Sequence, residues 1–180
     1  MTTIRVGYVP LSDALPLLHA QRHGLDQAEG ITLELVSMAS WAQLRDALLT
    51  GDIRAAHCLP GIALAAQAGL YGATPALATA FTLNHSGNSI TLRADWAEDP
   101  DSLYHGLRSQ PQGRLPTFAS VFPVSKHSFE LRYWLQTQGI DPDREVQLQV
   151  LPPPTMAQAL AEGRIDGFCA GEPWGSLTEL

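Results

Sequence analysis

Histidine and cysteine are the side chains that most often carry metal or nucleophilic chemistry, and this chain has six of the first and two of the second. His19, His23, His57, His85 and His105 are dispersed and form no metal-ligand spacing. Cys58 and Cys169 lie in matching apolar segments without a C-x2-C pattern, which fits buried structural thiols. No nucleophile stands beside a base at motif spacing, so catalysis is not expected and no cofactor is implied. The chemistry left is non-covalent binding, and binding depends on how the chain positions its polar groups.

Those groups sit on a pattern written twice. Ala47-Leu48-Leu49-Thr50-Gly51-Asp52-Ile53-Arg54-Ala55-Ala56-His57 is echoed by Ala159-Leu160-Ala161-Glu162-Gly163-Arg164-Ile165-Asp166-Gly167-Phe168-Cys169. In each copy a β-rich run, Thr32 to Val36 or Val146 to Leu151, leads to a short helix, a glycine stop and a short apolar strand. Leu44, Ala47 and Leu48 share one helical face, as do Met156, Ala159 and Leu160, and Gly51 or Gly163 supplies the left-handed residue after the helix. A crossover of this kind packs back on its sheet with one hand, so the loops at the strand carboxyl ends gather on one edge. Ligands of open α/β sheets bind at that edge. The expected fold is therefore α/β, with two lobes built on mainly parallel sheets, lobe 1 over residues 1–88 and lobe 2 over 89–180.

Composition narrows the partners. The 180 residues are 45% hydrophobic, enough for one sizeable core or two small ones. A formal net charge of -7 argues against direct contact with nucleic acid or an anionic membrane surface. There is no run of about 18 apolar residues, so no membrane segment is expected. Met1-Thr2-Thr3 runs straight into the strand Ile4 to Tyr8 with no secretory leader, which points to the cytoplasm; a removed leader would make the protein periplasmic.

Along the chain the expected elements are a helix from Ala14 to His23, a strand Ile31 to Val36, a helix ending at Thr50, a strand Ala55 to Cys58 and an alanine-rich helix from Pro60 to Ala68. A strand near Ala76 to Leu83 follows, then a polar crossing at Asn84 to Ser89 and a strand from Ile90 to Arg93. Residues 95–113 read as a surface helix between loops. A strand Leu115 to Phe122, a helix Ser128 to Gln138, a strand Val146 to Leu151, a stop at Pro152-Pro153-Pro154, a helix Met156 to Glu162 and a strand Ile165 to Ala170 complete the second half.

Several segments occur together in a recognisable order: Ala39-Ser40-Trp41, Ser86-Gly87-Asn88-Ser89-Ile90-Thr91, Leu131-Arg132-Tyr133-Trp134-Leu135, Gly139-Ile140-Asp141-Pro142, Pro152-Pro153-Pro154 and Gly167-Phe168-Cys169-Ala170-Gly171-Glu172-Pro173-Trp174. In this order and spacing the chain resembles the nitrate/bicarbonate-type solute-binding proteins of ABC transporters, and in character their cytoplasmic nitrate/nitrite sensor branch. The resemblance implies a type II periplasmic-binding-protein-like fold. It also implies a small inorganic anion held between the lobes, nitrate or nitrite first and bicarbonate as the alternative. Lobe 1 would be incomplete, because family members continue past the Gly-Glu-Pro-Trp motif with a return that completes it and carries a basic ligand residue. Exposed lobe surface would then favour self-association or marginal stability.

Carried over position by position, the resemblance places Trp41, Asn88, His127 and Gly171 in one anion pocket, with Glu172 beside them. An indole N–H, a neutral amide donor, an imidazole that can gain charge and a glycine that allows close backbone approach all suit a planar oxyanion. A charged His127 would strengthen binding below about pH 6.5. Each residue also has a structural alternative. Trp41 could pack as a wall residue on the loop at Met38, Asn88 could be a turn residue, His127 a solvated residue at a helix start, and Glu172 a hinge carboxylate paired internally. The implied role is a sensor that signals to a response-regulator antiterminator. The alternative is the extracytoplasmic binding component that serves an ABC permease, and an enzyme of the pyrimidine-synthase branch of this fold is not expected.

Overall fold

The computed structural model describes residues 2–85, 87–96, 100–108 and 113–178. It divides into two compact units, residues 1–87 and 88–180. The first holds β1 (Thr2–Tyr8), α1 (Leu15–Arg22), α2 (Leu25–Ala28), β2 (Ile31–Ser37), α3 (Trp41–Thr50), β3 (Ala55–Ala56) and α4 (Pro60–Gln67). Its three-stranded sheet runs β2-β1-β3, all parallel. The second holds β4 (Asn88–Leu92), α5 (Pro100–Arg108), β5 (Thr117–Ser120), α6 (Lys126–Thr137), β6 (Gln147–Val150), α7 (Pro153–Ala161) and β7 (Gly167–Gly171). Its sheet runs β4-β7-β5-β6, with β4 the antiparallel member. This is the α/β architecture with mainly parallel sheets expected from the echoed pattern.

The echo extends to individual hydrogen bonds at a constant offset of 112 residues. Ile53 N–H donates to the Ala47 carbonyl at 3.2 Å, and Ile165 N–H to the Ala159 carbonyl at 3.4 Å. Arg54 N–H donates to the Arg5 carbonyl, as Asp166 N–H does to that of Thr117. Gly7 pairs with Ala56 in one sheet, and Ala119 with Phe168 in the other. Both helices close on a left-handed glycine, Gly51 at φ 84° and Gly163 at φ 67°. Their starts differ. Ser40 caps α3 by accepting from Gln43 N–H at 3.1 Å, while the Gln43 side chain accepts from Ala39 N–H at 2.8 Å. In α7 the prolines occupy the first positions, where a missing N–H costs nothing.

Each unit buries its own apolar layer. In the first, Val6, Val9, Met38, Leu44, Ile53 and Ile62 are buried between the sheet and its helices. In the second, Trp96, Leu107, Phe118, Leu131, Leu135, Ile140, Val146 and Cys169 form one cluster. Burial pushes the thiols of Cys58 and Cys169 up to about 12. At the amino edge of the second sheet, the fully buried Asp166 carboxylate accepts from Thr117 N–H at 2.8 Å, Arg114 Nη2 at 2.8 Å and Arg93 Nη1 at 3.2 Å. It ties β5, β7 and the end of β4 together.

Four expectations are corrected. Residues 76–83 carry no strand, because no neighbouring strand offers a ladder and Phe81 is left largely exposed. The strand does end before Pro152-Pro153-Pro154, at Val150, but the helix begins within the prolines at Pro153 and not at Met156. The segment at 95–113 is not confined to the surface, since Trp96 and Leu107 enter the core; residues 97–99 and 109–112 lie outside the described residues. Finally, α6 begins at Lys126, so His127 lies inside the helix and is buried.

Three predictions follow from this packing. Asp166→Ala leaves two guanidinium groups and a buried N–H without their acceptor, and should destabilise by about 3 kcal/mol in urea unfolding. A methyl at Gly167 would meet the Thr91 carbonyl, Phe118 and Leu92 at 2.9 Å, whereas Gly163 has open space and only its positive φ. Gly167→Ala should therefore cost about 1–3 kcal/mol and Gly163→Ala about 1 kcal/mol, read as a larger fall in Tm for the former. Both cysteines should resist alkylation by iodoacetamide at pH 8 in the folded protein and react rapidly in denaturant, because a thiol near 12 holds almost no thiolate at that pH.

Candidate functional site

The carboxyl edge of each sheet is where the α/β topology collects polar groups. In the second unit β4 and β7 place Asn88 opposite Gly171, at the end where the parallel strands finish. Glu172 follows directly. His127 arrives from β5 through the turn 121–125, in the first turn of α6. Ser125 fixes that helix start, since its hydroxyl donates to the Phe122 carbonyl at 2.6 Å and accepts from Ser128 N–H at 3.1 Å. Four of the five expected site residues thus share one sheet edge.

Their environments differ. His127 is 4% exposed, so the reading as a solvated helix-start residue does not hold. Asn88 is exposed, and its amide donates to Glu130 on α6 at 2.7 Å; Glu130 in turn pairs with Lys126 at 3.1 Å. Glu172 directs its carboxylate at β4 and at its own turn. Oε1 accepts from Ser89 at 3.2 Å, and Oε2 accepts from the Ser176 hydroxyl at 2.9 Å and N–H at 3.3 Å. That is the internally paired geometry of a turn carboxylate.

Trp41 belongs to the first unit, where it is the first residue of α3 after β2. It is fully buried, and its indole N–H has no acceptor among the described residues. Its ring meets His57 edge-on, with centroids 5.5 Å apart at 61°. His57, just past β3, is 6% exposed, and its Nε2 lies 3.0 Å from Asp13 Oδ2 in the loop after β1. His57 Nδ1 and Asp13 Oδ1 are also buried without a partner among the described residues. All three strand ends of the first sheet therefore contribute one polar group to a single cluster.

Sequence reasoning missed Asp13 and His57. The histidine looked dispersed because its partners are 44 and 16 positions away, and only the strand order β2-β1-β3 brings them together. The echo held a usable signal, since His57 stands where the second copy has Cys169. A large polar residue at a position the design fills with a small buried one is an anomaly.

A family model for the NMT1-like family matches residues 1–178. The nitrate import ATP-binding protein NrtC of Synechocystis sp. is 37% identical over 176 residues, covering 95% of this chain and 26% of NrtC. The bicarbonate transport ATP-binding protein CmpC of Synechococcus elongatus is 35% identical over 184 residues, with 96% and 27% covered. The crystal structure of the periplasmic nitrate-binding protein NrtA from Synechocystis PCC 6803 matches with a TM-score of 0.90 at 28% identity, over 99% of this chain and 49% of NrtA. The chain thus spans about a quarter of these transport proteins and about half of NrtA. With an echoed α/β unit, polar strand-end edges and a match along nearly its whole length, the chain belongs to the NMT1-like family, among the nitrate- and bicarbonate-type solute-binding proteins with the type II periplasmic-binding-protein fold.

Proposed function

We propose that this chain is the solute-binding portion of an ABC uptake system for nitrate or bicarbonate, holding a small planar oxyanion at its sheet edges. The observation that carries the reading is the placement of Asn88, His127 and Gly171 on one edge and of Trp41, with an unpartnered N–H, on another. A protein of net charge -7 can hold an anion only through local donors, and a buried imidazole beside the N-terminus of the twelve-residue α6 is such a donor. Glu172 serves to hold its turn against β4 and not to hold the ligand, in keeping with the bonds it accepts from Ser89 and Ser176.

The relatives favour the transport role over the sensor role. NrtC, CmpC and NrtA are named for nitrate import, bicarbonate transport and periplasmic nitrate binding. The permease and ATPase of an uptake system are accordingly the partners proposed, in place of an antiterminator. One observation favours a second reading. NrtC and CmpC are named as ATP-binding proteins, so a segment like this chain occurs within transporter components of that kind. NrtA, by its name, is periplasmic, which favours the periplasmic alternative over the cytoplasmic expectation. Among the described residues no helix is long and apolar enough to cross a membrane.

Calorimetric titration with nitrate and with bicarbonate tests the reading. At least one should bind, and Trp41→Ala and His127→Ala should each weaken it by about tenfold or more, the loss of one hydrogen bond to a charged group. Glu172→Gln should leave affinity within about twofold. Absence of binding to both anions, or indifference to both the Trp41 and His127 substitutions, overturns it. Affinity capture should retrieve a permease or ATPase; retrieval of an RNA-binding antiterminator released by nitrate would decide for the sensor.

A further inference from the structure

Spread along the sequence the histidines form no ligand set, but α1 brings two of them together. His19 and His23 stand four positions apart, and His23 N–H donates to the His19 carbonyl at 3.1 Å, so one lies a turn above the other at the carboxyl end of the helix. Their ring centroids are 4.3 Å apart and the planes are tilted by 39°. Both residues are exposed, and with Leu15, Leu18 and Arg22 they line one groove of about 330 Å³. Gly24, left-handed at φ 66°, stops the helix directly after the pair. From there the chain leads through α2 to the start of β2, whereas the candidate anion groups lie at the strand carboxyl ends.

Imidazole nitrogen is a ligand of choice for Cu²⁺ and Zn²⁺, and a helix that carries two imidazoles at i and i+4 presents both to one ion. Rings bound side by side to one ion at about 2.0–2.1 Å have centroids about 4.5–5 Å apart. The observed pair is within a small side-chain adjustment of that spacing. The last turn of a helix carries partial negative charge and the chain has a net charge of -7, so both fields favour a cation here. Arg22 in the same groove opposes it, but its side chain is exposed and its guanidinium can stay in water. Among the described residues no group of three or more His, Cys, Asp or Glu could hold a metal ion, so two imidazoles and water make up the coordination and the ion stays exchangeable.

We propose that His19 and His23 form a surface chelate for a divalent transition-metal ion, taking Cu²⁺ more tightly than Zn²⁺ and clipping the last turn of α1. The order of the two ions follows from the general preference of nitrogen ligands for Cu²⁺. The site does not depend on the oxyanion reading.

The test is calorimetry on the full chain at pH 7.5 in a non-chelating buffer, with CuCl₂ and ZnCl₂ titrated separately and no anion ligand added. One ion should bind per chain, Cu²⁺ more tightly than Zn²⁺. His19→Gln and His23→Gln should each weaken Cu²⁺ by about tenfold or more, and the double variant should lose little beyond either, because one substitution already breaks the chelate. His85→Gln, which removes an exposed histidine elsewhere, should leave affinity within about twofold. Electron paramagnetic resonance of the Cu²⁺ complex should show coupling to two imidazole nitrogens in the wild type and to one fewer in either single variant. Metal should raise Tm in the wild type and not in those variants. Circular dichroism establishes that each variant folds. No binding of either ion, Cu²⁺ affinity that survives either substitution, or an equal loss on His85→Gln overturns the proposal. The resonance spectrum of the wild type decides independently of the variants, since a complex with fewer than two imidazole nitrogens also overturns it.

Discussion

A single buried carboxylate fixes the second unit. Asp166 lies at the amino end of β7, accepts from the backbone of β5 and from two arginines, and through its own carbonyl accepts from Arg93 N–H at the end of β4. A charge taken out of water survives only when its lone pairs are filled, and here three donors fill them. Three of the four strands are thereby locked in register at one edge. The opposite edge inherits that precision, which is why Asn88 and Gly171 face each other at the far end of the same ladder. Distance along a strand separates the group that holds the sheet from the groups that could meet a ligand.

Much of the architecture was legible because it is written in periodicity and punctuation. Apolar residues at helical spacing, followed by Gly51 or Gly163, predicted both crossover helices, and the parallel sheets follow from them. The stretch 76–83 defeated the same reasoning. Its apolar composition looked like a strand, but a strand exists only where another offers its hydrogen bonds, and no short-range pattern shows that. At 152–154 the prolines end the strand as expected, but they also supply the first turn of the next helix, which therefore starts at Pro153 and not at Met156.

For the site, the residues near a recognised motif were legible and those assembled by topology were not. His127, Asn88 and Gly171 came from local motifs, and the sheet brings them to one edge. Asp13 and His57 have no local motif, and His57 meets both Asp13 and Trp41 only because β1 runs between its two parallel neighbours. His127 also shows that a helix start is not by itself a surface. The Ser125 cap lets the chain turn inward, so the residue after next is buried with the core.

The constant offset between the two units has a bearing on how such a protein can change. One copy of the design carries Ser125, Pro153 and Cys169, and the other carries Asp13, Trp41 and His57, on matching strand pairings. The chain therefore contains its own record of which side chains the scaffold tolerates at those three points. A replacement there by its counterpart is a change that the same frame already accommodates in its other copy, so the strand pairings can stay as they are.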